Sequence, residues 1–456
     1  MKLLVLEAST SSLKAMVYDS AAGVDAQAAV PIRNRKSAEA LLQELSTLAR
    51  QLAQGLAIEA IALVGIWHSL VLIEPDGTAA SRLYTWEDAA FGAPAAAMLS
   101  EQERDYLYQE TGCMPHGMYP LAMLKRLGIE GCLKGKRVCS AGGYVFFMLT
   151  GRWEESLSMA SGSGLVSLRQ GEYCPAALEW AGLKQENLPA LGSWRRPGRL
   201  GKAFANLLGL REGIPVLPAY PDGAMNHFAL EDARDMTLSV GTSAAVRMLA
   251  DGEGKAAGIW RYLSADDEIL AGAATSGACN CLDWARDSFF GREIAYETLS
   301  QYPVERAGLP YFLPYLFGER CPGWDDSRRG GFCGLERTHG LIEMYHSVME
   351  GILFGVRQCY DAVTAYCGAP RRILVSGGIL KDMTWLAMLA GILGRDISID
   401  CWEQASLMGG AALGLRCLGE DIRPTREEER IYPREEDVAL YHGRYIRFLE
   451  YYHGSR

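Results

Sequence analysis

The chain has 456 residues, enough for two or three domains that each bury a core of their own. Its residues are 49% hydrophobic and 22% charged, the make-up of a globular protein in water rather than a fibrous or disordered one. A formal charge of −10 excludes the basic balance that nucleic acid or an anionic membrane surface would require, so a phosphorylated ligand needs cations, backbone amides or Mg²⁺ gathered locally.

The first element is an apolar run at 3–6, predicted as a strand within Leu-Leu-Val-Leu-Glu-Ala-Ser-Thr-Ser-Ser-Leu-Lys-Ala-Met-Val (3–17). Four apolar residues before Glu7 are too few for a secretory h-region. With no apolar run near the ~18 residues of a membrane span, a cytoplasmic protein is expected. The strand breaks at Ser9-Thr10-Ser11-Ser12 and returns to apolar residues carrying Lys14. A hairpin that wraps a phosphate needs small residues there, because larger side chains block the backbone N–H groups from the anion. Glu7, just before the turn, is placed to hold Mg²⁺ through water. A helix is predicted over 38–54 and strands over 61–66 and 70–74, followed by Trp67-His68-Ser69 and, further on, Trp86-Glu87-Asp88. Flat apolar faces beside polar partners are what a sugar or polyol site needs, although a lone histidine is more often a satisfied core residue.

A helix is predicted over 95–108 and a strand over 215–218. Next comes Pro221-Asp222-Gly223, by itself most often a surface turn, whose position between two phosphate-type loops raises the reading of Asp222 as a carboxylate set to accept the proton of an attacking hydroxyl. The strand 237–240 then breaks at Gly241-Thr242-Ser243 and returns to apolar residues with Arg247, repeating the form of the first hairpin. Two such turns, with Asp222 between them, suggest a duplicated fold holding a polyphosphate and a phosphoryl-transfer reaction. The 340–365 helix is predicted with Thr338 as its cap, and the strand 372–375 ends in Ser376-Gly377-Gly378, which reads as a nucleotide contact or as a tight strand-to-helix turn. Mixed strands and helices throughout predict an α/β fold. The polar run before 236 marks the expected boundary, giving domains at 1–224 and 225–456. Twelve scattered cysteines contain no C-x-x-C pair and read as buried thiols in a reducing compartment rather than metal or disulfide sites.

In this order the segments resemble the FGGY family of carbohydrate kinases nearly end to end. The family's opening D-x-G-T-S-S-x-K reads Glu7-Ala8-Ser9-Thr10-Ser11-Ser12-Leu13-Lys14, its M-H-[GS]-L reads Trp67-His68-Ser69-Leu70, and its W-x-D-x-R reads Trp86-Glu87-Asp88-Ala89-Ala90. The stretch from Thr111 to Leu121 and Gly241-Thr242-Ser243-Ala244-Ala245-Val246-Arg247 look like the gluconate-kinase branch. Gly318-Glu319-Arg320-Cys321-Pro322, Glu350-Gly351, Ser376-Gly377-Gly378 and Met408-Gly409-Gly410-Ala411-Ala412 match further family segments. The resemblance implies two actin-like, RNase H-like α/β domains with a cleft between them, closing over ATP, Mg²⁺ and sugar. The first would hold most of the sugar and the second most of the adenosine.

It further implies an ATP-dependent carbohydrate kinase with Asp222 as the catalytic base. Thr10, Ser11, Lys14, Gly241, Thr242, Gly377 and Gly378 would hold the nucleotide. His68, Trp86, Asp88 and Asp222 would hold the substrate, and Glu7 and Asp222 would place the metal. Gluconate is the first expected substrate and a ketopentose such as xylulose the second. Members of the family often dimerise, but no run in the chain marks an interface. The chain departs from the family at Glu7 for Asp, Ser9 for Gly, Ala90 for Arg, Met123 for Lys, and Ala387 and Gly391 for Gln and Asp. A left-handed requirement at Ser9 would cost about 1 kcal/mol. A non-catalytic sugar or nucleotide sensor on the same scaffold is the alternative that these departures motivate.

Overall fold

The computed structural model describes residues 1–230, 232–250, 256–400, 404–421 and 428–454. The chain divides into two compact units, both discontinuous. One comprises Met1–Glu231, Arg261–Leu270 and Gln404–Thr425; the other comprises Asp232–Trp260, Ala271–Glu403 and Arg426–Arg456.

The first unit is built on a strand, β1 (Lys2–Ala8), buried without a break from Leu3 to Ala8. Continuous rather than alternating burial is what a strand covered on both faces requires. β1 pairs antiparallel with β2 (Ser12–Asp19), and β2 with the largely exposed β3 (Gly23–Pro31). On its other side β1 runs parallel to β4 (Ile58–Gly65). With β5 (Gly198–Arg199) and β6 (Pro215–Val216) the order is β5-β6-β4-β1-β2-β3, and β7 (Tyr220–Pro221) pairs parallel with the end of β4. The predicted strand at 215–218 is thus short, Leu217 adding one further bond from its N–H to the Ile61 carbonyl at 2.8 Å. The segment 70–74 keeps Val71–Ile73 as a strand.

Helix α1 (Ala38–Ala53) starts where predicted: the Ser37 hydroxyl accepts from the Ala40 N–H, and Leu41, Leu42, Leu45 and Leu48 are buried. The single helix expected over 95–108 is instead two, α2 (Ala89–Ala96) and α3 (Glu101–Thr111). Ser100 starts the second through a capping box, its N–H donating to Glu103 at 2.8 Å while its hydroxyl accepts from the Glu103 N–H at 3.3 Å. Apolar spacing alone runs through that break. Past β7, Asp222 opens α4 (Asp222–Phe228).

The second unit repeats the hairpin with β8 (Met236–Val240) and β9 (Ala244–Leu249). The seven-stranded sheet that contains this hairpin also has β10 (Trp260–Leu263), β11 (Ile269–Thr275), β12 (Ile373–Ser376), β13 (Ile397–Asp400) and β14 (Glu428–Ile431), in the order β10-β11-β9-β8-β12-β13-β14; residues 261–263 and 269–270 of it are grouped with the first unit. Around it run α5 (Cys279–Phe289), α6 (Leu341–Cys367) and α7 (Met383–Leu393). The N-cap of α6 is Gly340, not Thr338; Glu343 reaches back to accept the Gly340 N–H at 3.0 Å.

Between β13 and β14 the chain rejoins the first unit as α8 (Ala405–Cys417). Small residues let α8 lie close there: a Cβ on Gly409 would stand 2.0 Å from the Met225 carbonyl of α4, and one on Gly410 2.7 Å from Val5 of β1. The final helix, α9 (Glu435–Gly454), belongs to the second unit. Arg444 on it forms a buried two-pronged pair with Glu350 of α6, and a Cβ on Gly351 would meet the Phe312 carbonyl at 2.2 Å. Glu350-Gly351 is therefore a packing device of the second unit. Among the described residues no helix is long and apolar enough to cross a membrane. Each described cysteine is a free thiol; many are buried, while Cys132 is exposed.

Candidate active site

In the first unit β1, β4 and β7 are mutually parallel, β4 lying between the other two. Their carboxyl ends therefore share one edge of the sheet. The residues that follow them are Ser9–Ser12 after β1, Trp67 and His68 after β4, and Asp222 after β7. Loops at the carboxyl ends of parallel strands are where α/β sheets hold ligands, since the strand ends point backbone and side chains outward together. Topology thus gathers the serine turn, the histidine and the aspartate from three distant stretches of sequence.

The Ser9–Ser12 turn is held by its own groups. Ser9 donates its N–H to the Ser12 carbonyl at 2.9 Å, its hydroxyl donates to the same carbonyl at 2.8 Å, and that hydroxyl accepts the Ser12 N–H at 3.1 Å. Among the described non-glycine residues, positive φ occurs at His68, Asp267 and Trp324. Ser9 has no left-handed requirement, so serine in place of the family's glycine carries none of the strain foreseen for it. Thr10 accepts the indole N–H of Trp86 at 3.1 Å, which joins the expected sugar-side aromatic to the expected phosphate turn. Ser11 is exposed.

Glu7 lies opposite Lys14 in the β1–β2 register, and Lys14 donates to its Oε1 at 2.9 Å. Its Oε2 accepts from the Ser406 hydroxyl of α8, and the side chain is 1% exposed. Asp222 is half-buried, with the Gly223 N–H donating to Oδ1 at 2.7 Å. These carboxylates bear differently on the expected Mg²⁺, a hard cation that keeps several waters and takes much of its coordination from nucleotide phosphates. Asp222, partly open at a strand end, fits a contact with such a hydrated ion. Glu7 is buried with each oxygen already bonded, so it fits the task of fixing Lys14 beside the turn.

His68 follows β4 with φ 54°, a left-handed conformation uncommon outside glycine but one that histidine, like asparagine and aspartate, adopts more often than other residues. Its Nδ1 lies 2.6 Å from the Gly162 carbonyl and its Nε2 3.3 Å from the Tyr262 hydroxyl. Trp67 donates its indole N–H to the Ser158 carbonyl at 3.1 Å, which fixes the neighbouring ring. Behind His68 lies a cavity of about 30 Å³ lined also by Ser69, Ser140 and Glu155. Burial pushes the Glu155 carboxyl above its usual range, against hydrogen bonds donated by Ser140.

Asp88 caps the turn at Thr85, whose N–H it accepts at 2.9 Å, and takes ion pairs from Lys36 at 2.7 Å and Arg82 at 2.9 Å. Burial alone would raise its pKa; the Lys36 bond, the Thr85 N–H and Arg82 together hold it below the usual carboxylate range. The sequence reading passed over Lys36, Arg82 and Ser406, which nothing in their local sequence sets apart. Tyr119 lies within the Thr111–Leu121 stretch, where its sequence gives it no role, and Tyr262 lies in none of the motifs.

In the second unit the Gly241 N–H donates to the Ser243 carbonyl at 3.0 Å, closing a turn one residue shorter than the first. The hairpin cations are not equivalent: Lys14 sits one pair from the last pair of its ladder, whereas Arg247 pairs with Thr237 three pairs from the last of its own. The Gly241 and Thr242 carbonyls accept the Cys279 and Asn280 N–H groups at the start of α5, at 2.9 and 3.4 Å. Gly377 has φ 97°, and a Cβ there would stand 2.4 Å from the Val240 carbonyl. A side chain is excluded on both counts. A Cβ on Gly378 would lie 3.3 Å from the Cys279 sulfur. Gly241, Thr242, Gly377 and Gly378 therefore meet around the paired ends of β8 and β12. Burial pushes the Cys279 thiol up to about 11, leaving it neutral beside them. Glu319 is buried, accepting from Tyr452 of α9 at 2.7 Å and pairing with Arg328 at 2.8 Å.

Compared with known proteins, residues 3–229 match the N-terminal domain of the FGGY family of carbohydrate kinases and residues 236–418 match its C-terminal domain. The chain is 24% identical over 387 residues to a gluconokinase of Bacillus subtilis (strain 168), covering 80% of this chain and 75% of that protein. It is 27% identical over 411 residues to a xylulose kinase of the same strain, covering 84% and 80%. The crystal structure of a gluconate kinase from Lactobacillus acidophilus superposes with a TM-score of 0.92 at 22% identity, over 100% of this chain and 98% of that one, which establishes the two-domain α/β fold.

Proposed function

The chain belongs to the FGGY family of carbohydrate kinases and is an ATP-dependent phosphotransferase acting on a sugar or sugar acid; from that premise we propose gluconate as its substrate and a terminal hydroxyl as the acceptor. The observation that carries the proposed mechanism is the shared sheet edge, which supports bringing the Ser9–Ser12 turn, His68 and Asp222 to one substrate. In the proposed step Asp222 accepts the proton of the attacking hydroxyl as its oxygen bonds to the γ-phosphorus; the bond from that phosphorus to the bridging oxygen breaks and ADP leaves. The Gly223 N–H on Oδ1 orients the carboxylate. Thr10, Ser11 and the Lys14 cation hold the transferring phosphates from the first unit, with Glu7 aiming Lys14. Gly241, Thr242, Gly377 and Gly378 hold the nucleotide from the second unit, where small residues admit it. His68, Trp86 and Asp88 orient the substrate. Bound Mg²⁺ would neutralise charge developing on the phosphates, with Asp222 as the residue nearest to it in role.

In this reading the first unit carries the sugar and the second the nucleotide, and the linear split expected at 1–224 and 225–456 gives way to a first unit that also takes in 225–231, 261–270 and 404–425. Likeness to gluconokinases supports an aldonic acid. Ala90, where the resemblance implies an arginine, favours the second reading, a ketopentose such as xylulose. The test is coupled ADP release with Mg²⁺–ATP against gluconate, other aldonates, xylulose, ribulose, glycerol and rhamnulose. Stimulation by gluconate well above the rate without sugar is expected. Stimulation by xylulose alone would replace the substrate, and a flat panel would return the sensor reading.

A further inference from the structure

Ser406 stands in the first turn of α8, the helix that rejoins the first unit from the second half of the chain. It is buried, and its hydroxyl donates to Glu7 Oε2. Packing fixes the helix at this place. Gly409 leaves no room for a Cβ against the Met225 carbonyl, and Gly410 leaves none against Val5 of β1, the strand that carries Glu7. The hydroxyl therefore comes from an element set against the sheet, not from the hairpin whose carboxylate it meets. The start of a helix also carries partial positive charge, which favours a buried carboxylate beside it.

Glu7 is divided between two partners, Lys14 on Oε1 at 2.9 Å and Ser406 on Oε2. Lys14 is its cross-strand partner, one pair from the end of the ladder and so close to the Ser9–Ser12 turn. The Lys14 side chain is 21% exposed, and among the described residues its ammonium makes one hydrogen bond, to Oε1. An ammonium has three donors, so two are open to a ligand. The last torsion of a glutamate is broad and two-fold, and a carboxylate with both oxygens free takes an ammonium on either one or on both. With Oε2 committed to Ser406, Oε1 alone meets Lys14. The ammonium is then held at one point and keeps its other donors for an anion.

We infer that Ser406 is a positioning residue for the phosphates of the nucleotide: by holding Glu7 Oε2 it fixes the carboxylate that aims Lys14 beside the Ser9–Ser12 turn. This role rests on the contact between Lys14 and those phosphates proposed above. Glutamate in place of the family's aspartate suits the arrangement, because a carboxylate about one bond length shorter would stand back from Ser406 and Lys14 alike.

Calorimetry of the whole protein with Mg²⁺–ATP reads the nucleotide contact without turnover, and steady-state kinetics adds the KM for Mg²⁺–ATP and for the better sugar. Ser406→Ala should weaken Mg²⁺–ATP about 3- to 10-fold in both Kd and KM, with the sugar KM within about twofold. Ser406→Cys keeps the volume but replaces the hydroxyl by a weak donor, and should lose as much; parent affinity in it would make Ser406 a packing residue and overturn the inference. Lys14→Gln should weaken Mg²⁺–ATP about tenfold or more, and adding Ser406→Ala to it should change the affinity by less than about twofold. An equal loss from Ser406→Ala in both backgrounds overturns the inference, since the hydroxyl would then act by a route other than Lys14. Parent affinity in Lys14→Gln removes Lys14 from the phosphates and the role of Ser406 with it. A weakened Lys14→Gln beside an unchanged Ser406→Ala removes Ser406 and leaves Lys14 in place. If Ser406→Ala fails to fold, Ser406→Cys carries the same comparison in both backgrounds.

Discussion

Asp222 shows how little a residue's local sequence says about its use. Pro-Asp-Gly is ordinary turn chemistry, and the aspartate opens a seven-residue helix as many do. Its distinction is that β7 runs parallel to β4, which carries it to the edge reached by the serine turn and His68. Asp222→Asn keeps size and hydrogen bonding while removing basicity. It should lower kcat by about 10²–10⁴ and leave the calorimetric affinities for ATP and sugar near those of the parent; near-full kcat would remove Asp222 as the base. Glu7 is the opposite case, a carboxylate read as a metal residue whose partners are Lys14 and Ser406. Lys14 was within reach of the sequence, since hairpin pairing sets it opposite. Ser406, 399 residues away, was not. Glu7→Asp withdraws the carboxylate from both by about a bond length. The KM for Mg²⁺–ATP should rise severalfold with the sugar KM within about twofold, and a change confined to the sugar KM would move Glu7 to the substrate side.

At the scale of elements, the two hairpins are alike in sequence and unlike in detail. The pattern of apolar residues, small hydroxyl residues and one cation led to two equivalent turns, yet the ladders close with turns of different length and their cations stand at different depths. A one-residue change in a turn alters every cross-strand pairing behind it, so a motif's appearance is legible before its register is. The first hairpin also has an outside partner. Trp86 donates to Thr10, and since an indole N–H can only donate, the threonine hydroxyl keeps its own proton for a phosphate oxygen. Trp86→Phe removes one neutral hydrogen bond and should raise the KM for Mg²⁺–ATP about 3- to 10-fold as well as weakening the sugar. An effect on the sugar alone would show that the bond does not act on the turn. The split of 95–108 into α2 and α3 teaches the same lesson for helices, because the Ser100–Glu103 box outweighs a continuous apolar spacing.

The whole molecule is two units, and the first borrows residues 261–270 and 404–425 from the second half of the chain. The first sheet is covered by α8, with Gly409 against α4, Gly410 against β1 and β4, and Gly414 against Leu3. Residues 1–230 expressed alone would expose that face. They should show no cooperative thermal transition by near-UV circular dichroism, while the full chain does; a sharp transition in the fragment would mean that α8 is dispensable. The chain by itself determined the α/β class, the strands that lead into the site segments, the repeated hairpin and the order of family segments. Apolar runs, turn residues and capping groups act over a few residues, so their effects are written locally. Tertiary structure alone decided that Tyr262 stands on His68, that Ser406 stands on Glu7, that Lys36 and Arg82 hold Asp88, and that residues 261–270 and 404–425 join the first unit. Those contacts join stretches far apart in sequence, and their energy depends on which surfaces the packed sheets bring together, a quantity that no local run of residues carries.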